Sequence, residues 1–162
     1  MSPPDAGTLR GARVLILDAD GVLRRLPAGE TLDGIPRLEA FLRRPEFEDV
    51  RVVAAGEWKR HLGIRQIRRL FAPDLAERFV GATPHADTGD GLSSHVEINL
   101  WVDAHPEIAG YVVLESGHLW QCFPALESAV FVHSPEGVLG EMEIRSLERL
   151  LGSIAAPAPL VH

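Results

Sequence analysis

The sequence predicts an α/β domain: a three-layer sandwich on a Rossmann-like, mostly parallel sheet. Three observations carry that expectation. Four short apolar runs, "VLIL" (14–17), "VRVVAA" (50–55), "YVVL" (111–114) and "AVFVH" (129–133), read as strands. None alternates cleanly, as expected of strands covered on both faces. Amphipathic helical patterns lie between them, and strands alternating with helices mean βαβ units.

The first strand runs to Leu17 and stops at Asp18, followed by Asp20 and Gly21. "IPRLEAFLRR" (35–44) then puts Ile35, Leu38, Phe41 and Leu42 on one helical face, with Pro36 suited to a first turn. After the second strand, "EWKRHLGIRQIRRLF" (57–71) reads as one helix with Trp58, Leu62, Ile67, Leu70 and Phe71 as its apolar stripe. "RFVGA" (78–82) is a weaker fifth strand. "SSHVEINLWVDAH" (93–105) opens with serines suited to an N-cap and groups Val96, Leu100 and Trp101. "GEMEIRSLERLLG" (140–152) carries Ile144, Leu147, Leu150 and Leu151 and ends at a glycine.

The 162 residues suit one domain with a proper core: a flexible segment at 1–12, the folded domain at 13–152 and a loose Pro/Ala-rich tail at 153–162. Hydrophobic residues at 46% and charged residues at 24% give a soluble globular composition. The net charge of −7 argues against a general nucleic-acid coat or a membrane-surface protein. A single cysteine, Cys122, rules out an internal disulfide and fits a reducing compartment. With no secretory pattern at the start and no apolar run of membrane-spanning length, a cytoplasmic location is expected.

In such sheets ligands sit beyond the carboxyl ends of the strands. Chemistry should therefore appear where the apolar runs stop. Asp18 and Asp20 stand at the first such end. A bare pair of carboxylates would repel and lose hydration there. A bound Mg²⁺, which prefers hard oxygen ligands, removes the difficulty. Together with a phosphorylated substrate it makes a phosphoryl-transfer site, in which one carboxylate attacks phosphorus and the other exchanges protons with the leaving group.

"LILDADGVL" resembles motif I of the haloacid dehalogenase (HAD) superfamily, an apolar strand followed by Asp-x-Asp-Gly-[Val/Thr]-Leu. "RVVAAGEWKRHLG", "FVGATP", "HVEINLWVDAHP", "YVVLES" and "SPEGVLGEMEIRSLERLL" follow in the order of a small subfamily grouped with bacterial RNA-repair proteins. The resemblance implies a HAD sandwich with little or no cap. It also implies that Asp18 is a nucleophile that ligates Mg²⁺, and that Asp20 is a general acid/base whose main-chain carbonyl contacts the metal. The other motifs depart from the family. Ala55 and Gly56 end the second strand where a Ser or Thr is expected, leaving the Gly56 amide as donor. "GLSSHVEI" offers His95 in place of a cation, with Ser94 where the subfamily has Arg. Glu115-Ser116 replaces an Asp-Asp pair, so Glu115 is the remaining metal ligand there. Lys59 matches the basic residue of the subfamily's Ser-Ser-x-Trp-Arg block and would replace the missing cation. Each lost transition-state contact costs about 3–4 kcal/mol.

The resemblance implies a Mg²⁺-dependent phosphohydrolase acting through an aspartyl-phosphate. Its substrate would be phosphorylated and bulky, such as a nucleic-acid end. The alternative is a catalytically degenerate HAD-fold module that binds or regulates. The residues also have plainer readings: a turn closing a strand for Asp18 and Asp20, a solvated strand end for Glu115, and a helix-start surface residue for His95. The basic residues Lys59, Arg60, Arg65, Arg68 and Arg69 read as the solvated face of a helix before they read as a nucleic-acid patch. Trp58, Trp101 and Trp120 read as packing residues, and the seven histidines show no zinc-ligand spacing.

Overall fold

The structure is a computed structural model that describes residues 9–18, 34–87, 89, 93–115, 129–131 and 139–155. Its framework is a five-stranded sheet in the order β3-β2-β1-β4-β5. The strands are β1 (Arg13–Asp18), β2 (Arg51–Ala55), β3 (Phe79–Ala82), β4 (Gly110–Glu115) and β5 (Ala129–Phe131), and every pairing is parallel. All five expected runs contain strands, including the weak "RFVGA" candidate; Val132 and His133 of "AVFVH" lie outside the described residues.

Between β1 and β2 runs α1 (Ile35–Leu42), whose buried residues are the four expected, Ile35, Leu38, Phe41 and Leu42. A short 3-10 turn at Pro45–Phe47 precedes β2. The single helix expected over 57–71 is instead two: α2 (Trp58–His61) and α3 (Ile64–Arg68). The break falls at Leu62 and Gly63, whose backbones are extended. The Gly63 amide, outside the helix, donates to the Gln66 side chain at 2.8 Å. Gly is the residue least stabilised in a helix interior. Splitting the helix lets Trp58, Ile64, Ile67 and Phe71 all reach the core, while Leu70 remains 37% exposed. A one-turn helix, α4 (Pro73–Ala76), leads to β3.

Helix α5 (Ser93–Asp103) crosses back to β4, and α6 (Glu141–Ser153) follows β5. The sequence placed Val96, Leu100 and Trp101 on the inner face of α5. The structure buries Glu97, Ile98 and Trp101, and leaves Leu100 49% exposed. The reason is polar: Glu97 is held by two cations described below, and that anchor rotates the helix. Helix α6 follows expectation, burying Ile144, Leu147 and Leu151 with Leu150 partly buried.

Strand alternation divides the core in two. Leu15, Leu17, Val52, Ala54, Val112 and Leu114 pack with α1, α2, α3 and α6 on one face. Val14, Ile16, Val53, Ala55 and Val113 pack with Ile98 and Trp101 of α5 on the other. Burying each such side chain contributes about 1.5–3 kcal/mol. Packing starts ahead of the boundary drawn at 13: Leu9 is 1% exposed, and the Gly11 amide donates to Glu107 O at 2.7 Å. It also continues past 152, where Ile154 packs over Gly110. Trp120 and Cys122 lie outside the described residues.

The bottom of the sheet is pinned by Arg13, 3% exposed at the start of β1. Its guanidinium pairs with both Asp49 carboxylate oxygens, donates to Glu46 O and Leu151 O, and stacks 5.4 Å from the Phe47 ring centre. Strand start, 3-10 turn and the end of α6 are tied at one point.

Candidate functional site

In the order β3-β2-β1-β4-β5 the chain winds outward from β1 in one direction and then in the other, so the direction reverses between β1 and β4. Crossovers of one hand then place α5 on the opposite face from α1 to α3. The gap between the carboxyl ends of β1 and β4 is where such sheets bind ligands.

Asp18 ends β1 and Glu115 ends β4. Leu17 pairs with Leu114, so one step further the register sets Asp18 beside Glu115. Adjacent strands lie ~4.8 Å apart. Two carboxylates with no sequence proximity are thereby neighbours at the switch point, Asp18 half-buried and Glu115 2% exposed. Carboxylates at two adjacent strand ends, one of them shielded from water, give a cation its charge complement. Their oxygens are the hard donors that Mg²⁺ takes. Among the described residues no group of three or more potential ligands converges. Asp20, Gly21 and Ser116 lie outside the described residues.

On its other side Asp18 pairs with Ala55 of β2. The next residue, Gly56, has φ +84°, which a side chain rarely adopts. A Cβ placed on Gly56 would stand 2.5 Å from each carboxylate oxygen of Asp18. The Asp18 carboxylate thus leans towards β2 and fills the space of a side chain at 56. The hydroxyl missing there is a consequence of this geometry: any side chain would displace Asp18.

Lys59 is placed differently from the phosphate-facing cation the sequence suggested. Its side chain is 1% exposed, and its ammonium lies 2.7 Å from Glu97 Oε2. The ammonium also donates to Thr83 O at 3.1 Å and to Pro84 O at 2.9 Å. His85 Nδ1 lies 3.4 Å from it, and the Glu97 carboxylate balances its charge. Burial holds the Lys59 pKa below the ordinary lysine value, with Glu97 pulling it back up. The other Glu97 oxygen accepts from the Arg60 guanidinium and from the Ala86 amide, the latter at 2.7 Å. Lys59, Arg60 and Glu97 therefore clamp α2, α5 and residues 83–86 together at the rim. His95 stands half-buried in the first turn of α5, its Nε2 3.3 Å from Asn99 Nδ2.

Two residues in this rim escaped the sequence reading. Glu97 was not singled out in the sequence; its apolar neighbours Val96 and Ile98 were the available signal. Thr83 follows β3, and its amide donates to Ala54 O at 2.9 Å. It is 3% exposed, and its buried Oγ1 has no hydrogen-bond partner among the described residues. The strand-end rule that located Asp18 applies equally to "FVGAT" and would have found it.

The sequence profile of the HAD domain in Swiss Army Knife RNA repair proteins matches residues 14–140. Comparisons with curated proteins and with solved structures gave no significant match.

Proposed function

The chain belongs to the HAD domains of Swiss Army Knife RNA repair proteins, and from that premise we propose that it is a Mg²⁺-dependent phosphohydrolase working through an aspartyl-phosphate on Asp18. The observation that carries this reading is the placement of Asp18 beside Glu115 at the switch point of the sheet. Asp18, Glu115 and Asp20 would hold the ion, which when bound neutralises charge on the phosphoryl group. Asp18 Oδ attacks phosphorus and the alkoxide leaves; Asp20 supplies the leaving group's proton and then takes one from the water that hydrolyses the acyl phosphate. The Gly56 amide and His95 would be the donors for phosphoryl oxygens. Lys59 acts through position, fixing the rim with Glu97.

The family's description points to a phosphorylated nucleic-acid end as substrate, and a sheet edge with little or no cap would admit one. The net charge of −7 favours recognition of the end over capture of a long backbone. Among the described residues no helix is long and apolar enough to cross a membrane.

A second reading, a HAD-fold module that binds phosphate without turnover, draws on Gly56 and Lys59. The second strand lacks its hydroxyl, and the expected cation is committed elsewhere. Hydrolysis of an aryl phosphate with Mg²⁺ separates the two. The enzyme reading expects turnover that requires Mg²⁺ and falls at least ~1,000-fold in Asp18→Asn. Turnover indifferent to Asp18 or to Mg²⁺ would sink it.

A further inference from the structure

We propose that Thr83 is the hydroxyl donor of the phosphoryl site, moved one strand over from the position where β2 ends in Gly56. The proposal rests on the phosphoryl site described above but not on its turnover. At position 56 no side-chain hydroxyl can serve, because the Asp18 carboxylate fills that space. The register carries the next candidate. Ala54 pairs with Ala82, so one step on Thr83 stands beside Ala55, which itself pairs with Asp18. By register Asp18, Ala55 and Thr83 form one row across three strand ends, and Ala55 in its middle packs on the face that α5 covers.

At ~4.8 Å per strand, Thr83 and Asp18 lie ~10 Å apart along that row. The lean of the Asp18 carboxylate over Gly56 shortens the gap, and Ala55 puts only a methyl group between them. A phosphoryl group attached at Asp18 Oδ extends beyond that carboxylate, and a hydroxyl that bonds it would stand ~2.7 Å from one of its oxygens.

The chemistry of Thr83 singles it out. A buried hydroxyl without a partner is costly, and an orphan kept in a native structure calls for an explanation. Its backbone is fully engaged, the amide with Ala54 O and the carbonyl with Lys59 Nζ, so the side chain is held in place while its hydroxyl stays available. The buried Lys59–Glu97 pair thereby acquires a purpose at the site: it positions Thr83. Shielded from water, a hydroxyl here hydrogen-bonds a phosphoryl oxygen without solvent competition.

The probe is inorganic phosphate, titrated by calorimetry with Mg²⁺ present into wild type, Thr83→Val and Thr83→Ser. A hydrogen bond to a charged group predicts roughly ten- to hundredfold weaker phosphate binding in Thr83→Val. Thr83→Ser restores most of the affinity. Thr83→Val should melt at or above the wild-type temperature, because it removes an unpartnered hydroxyl and keeps the shape. Equal phosphate affinity in wild type and Thr83→Val overturns the proposal. So does loss of thermal stability in Thr83→Val, which would mean the hydroxyl is bonded within the fold. A wild type that binds no phosphate overturns it as well. The Asp18→Asn hydrolysis assay judges turnover separately. If hydrolysis fails while phosphate binding still depends on Thr83, the enzyme reading falls and the Thr83 subsite stands.

Discussion

Replacing Lys59 by Met keeps the aliphatic stem and removes the charge, and the structure gives the size of the effect. The Lys59 and Glu97 side chains are 1% and 0% exposed and lie 2.7 Å apart. Removing one partner of a buried pair costs ~3–5 kcal/mol, because the other charge is left behind. Arg60, 27% exposed, still pairs with Glu97 in the variant, which places the loss near ~3 kcal/mol. For a domain of this size that lowers the melting temperature by ~6–12 °C. Two carbonyls, Thr83 O and Pro84 O, lose their donor at the same time. Urea unfolding of Lys59→Met, Glu97→Gln and the double variant measures the coupling. The double variant should be less destabilised than the sum of the singles by ~1–3 kcal/mol. The opposite pattern refutes the reasoning: Lys59→Met within ~0.5 kcal/mol of wild type, with phosphate affinity lost, would make Lys59 a phosphate ligand and not a rim anchor.

Gly56→Ser, which restores the family hydroxyl on paper, should lower turnover or phosphate affinity and cost ~1–2 kcal/mol in stability, since φ is +84° and the new Cβ meets Asp18; a gain in turnover would show that Asp18 can swing clear. Asp49 is buried enough to raise its pKa, but the hydrogen bonds and charge of Arg13 more than offset this and hold it below the usual carboxylate value. Its folded pKa being depressed, the stabilisation is present above about pH 4 and is lost as the pH falls through the folded value. Asp49→Asn should therefore lose ~1 kcal/mol at neutral pH after screening, and its urea midpoint should converge on wild type once the pH has fallen through the depressed folded value of Asp49. Leu147→Ala, at a fully buried position between α6 and the sheet, should cost ~2–5 kcal/mol by thermal unfolding, with unchanged phosphate affinity.

What the sequence determined by itself is the strand set and the carboxylates at the strand ends. β-branched runs bounded by polar residues could only be buried strands, and Asp18 and Glu115 were visible because each interrupts such a run at its end. The face of α1 was equally legible, since a 3.6-residue period needs no partner to be read. Three features were settled only in three dimensions. Helix 57–71 divides at Gly63 because the packing of Trp58 and Ile64 onto one core outweighs continuous helical pairing. The inner face of α5 turns on Glu97, whose partners Lys59 and Arg60 lie 37 or more positions away, so no local pattern encodes it. Asp18 comes against Gly56, and Thr83 falls in line with them, through parallel register alone. Register is set by hydrogen bonds between strands far apart in sequence, and it made Gly56 the resting place of a carboxylate and left Thr83 with a hydroxyl to offer.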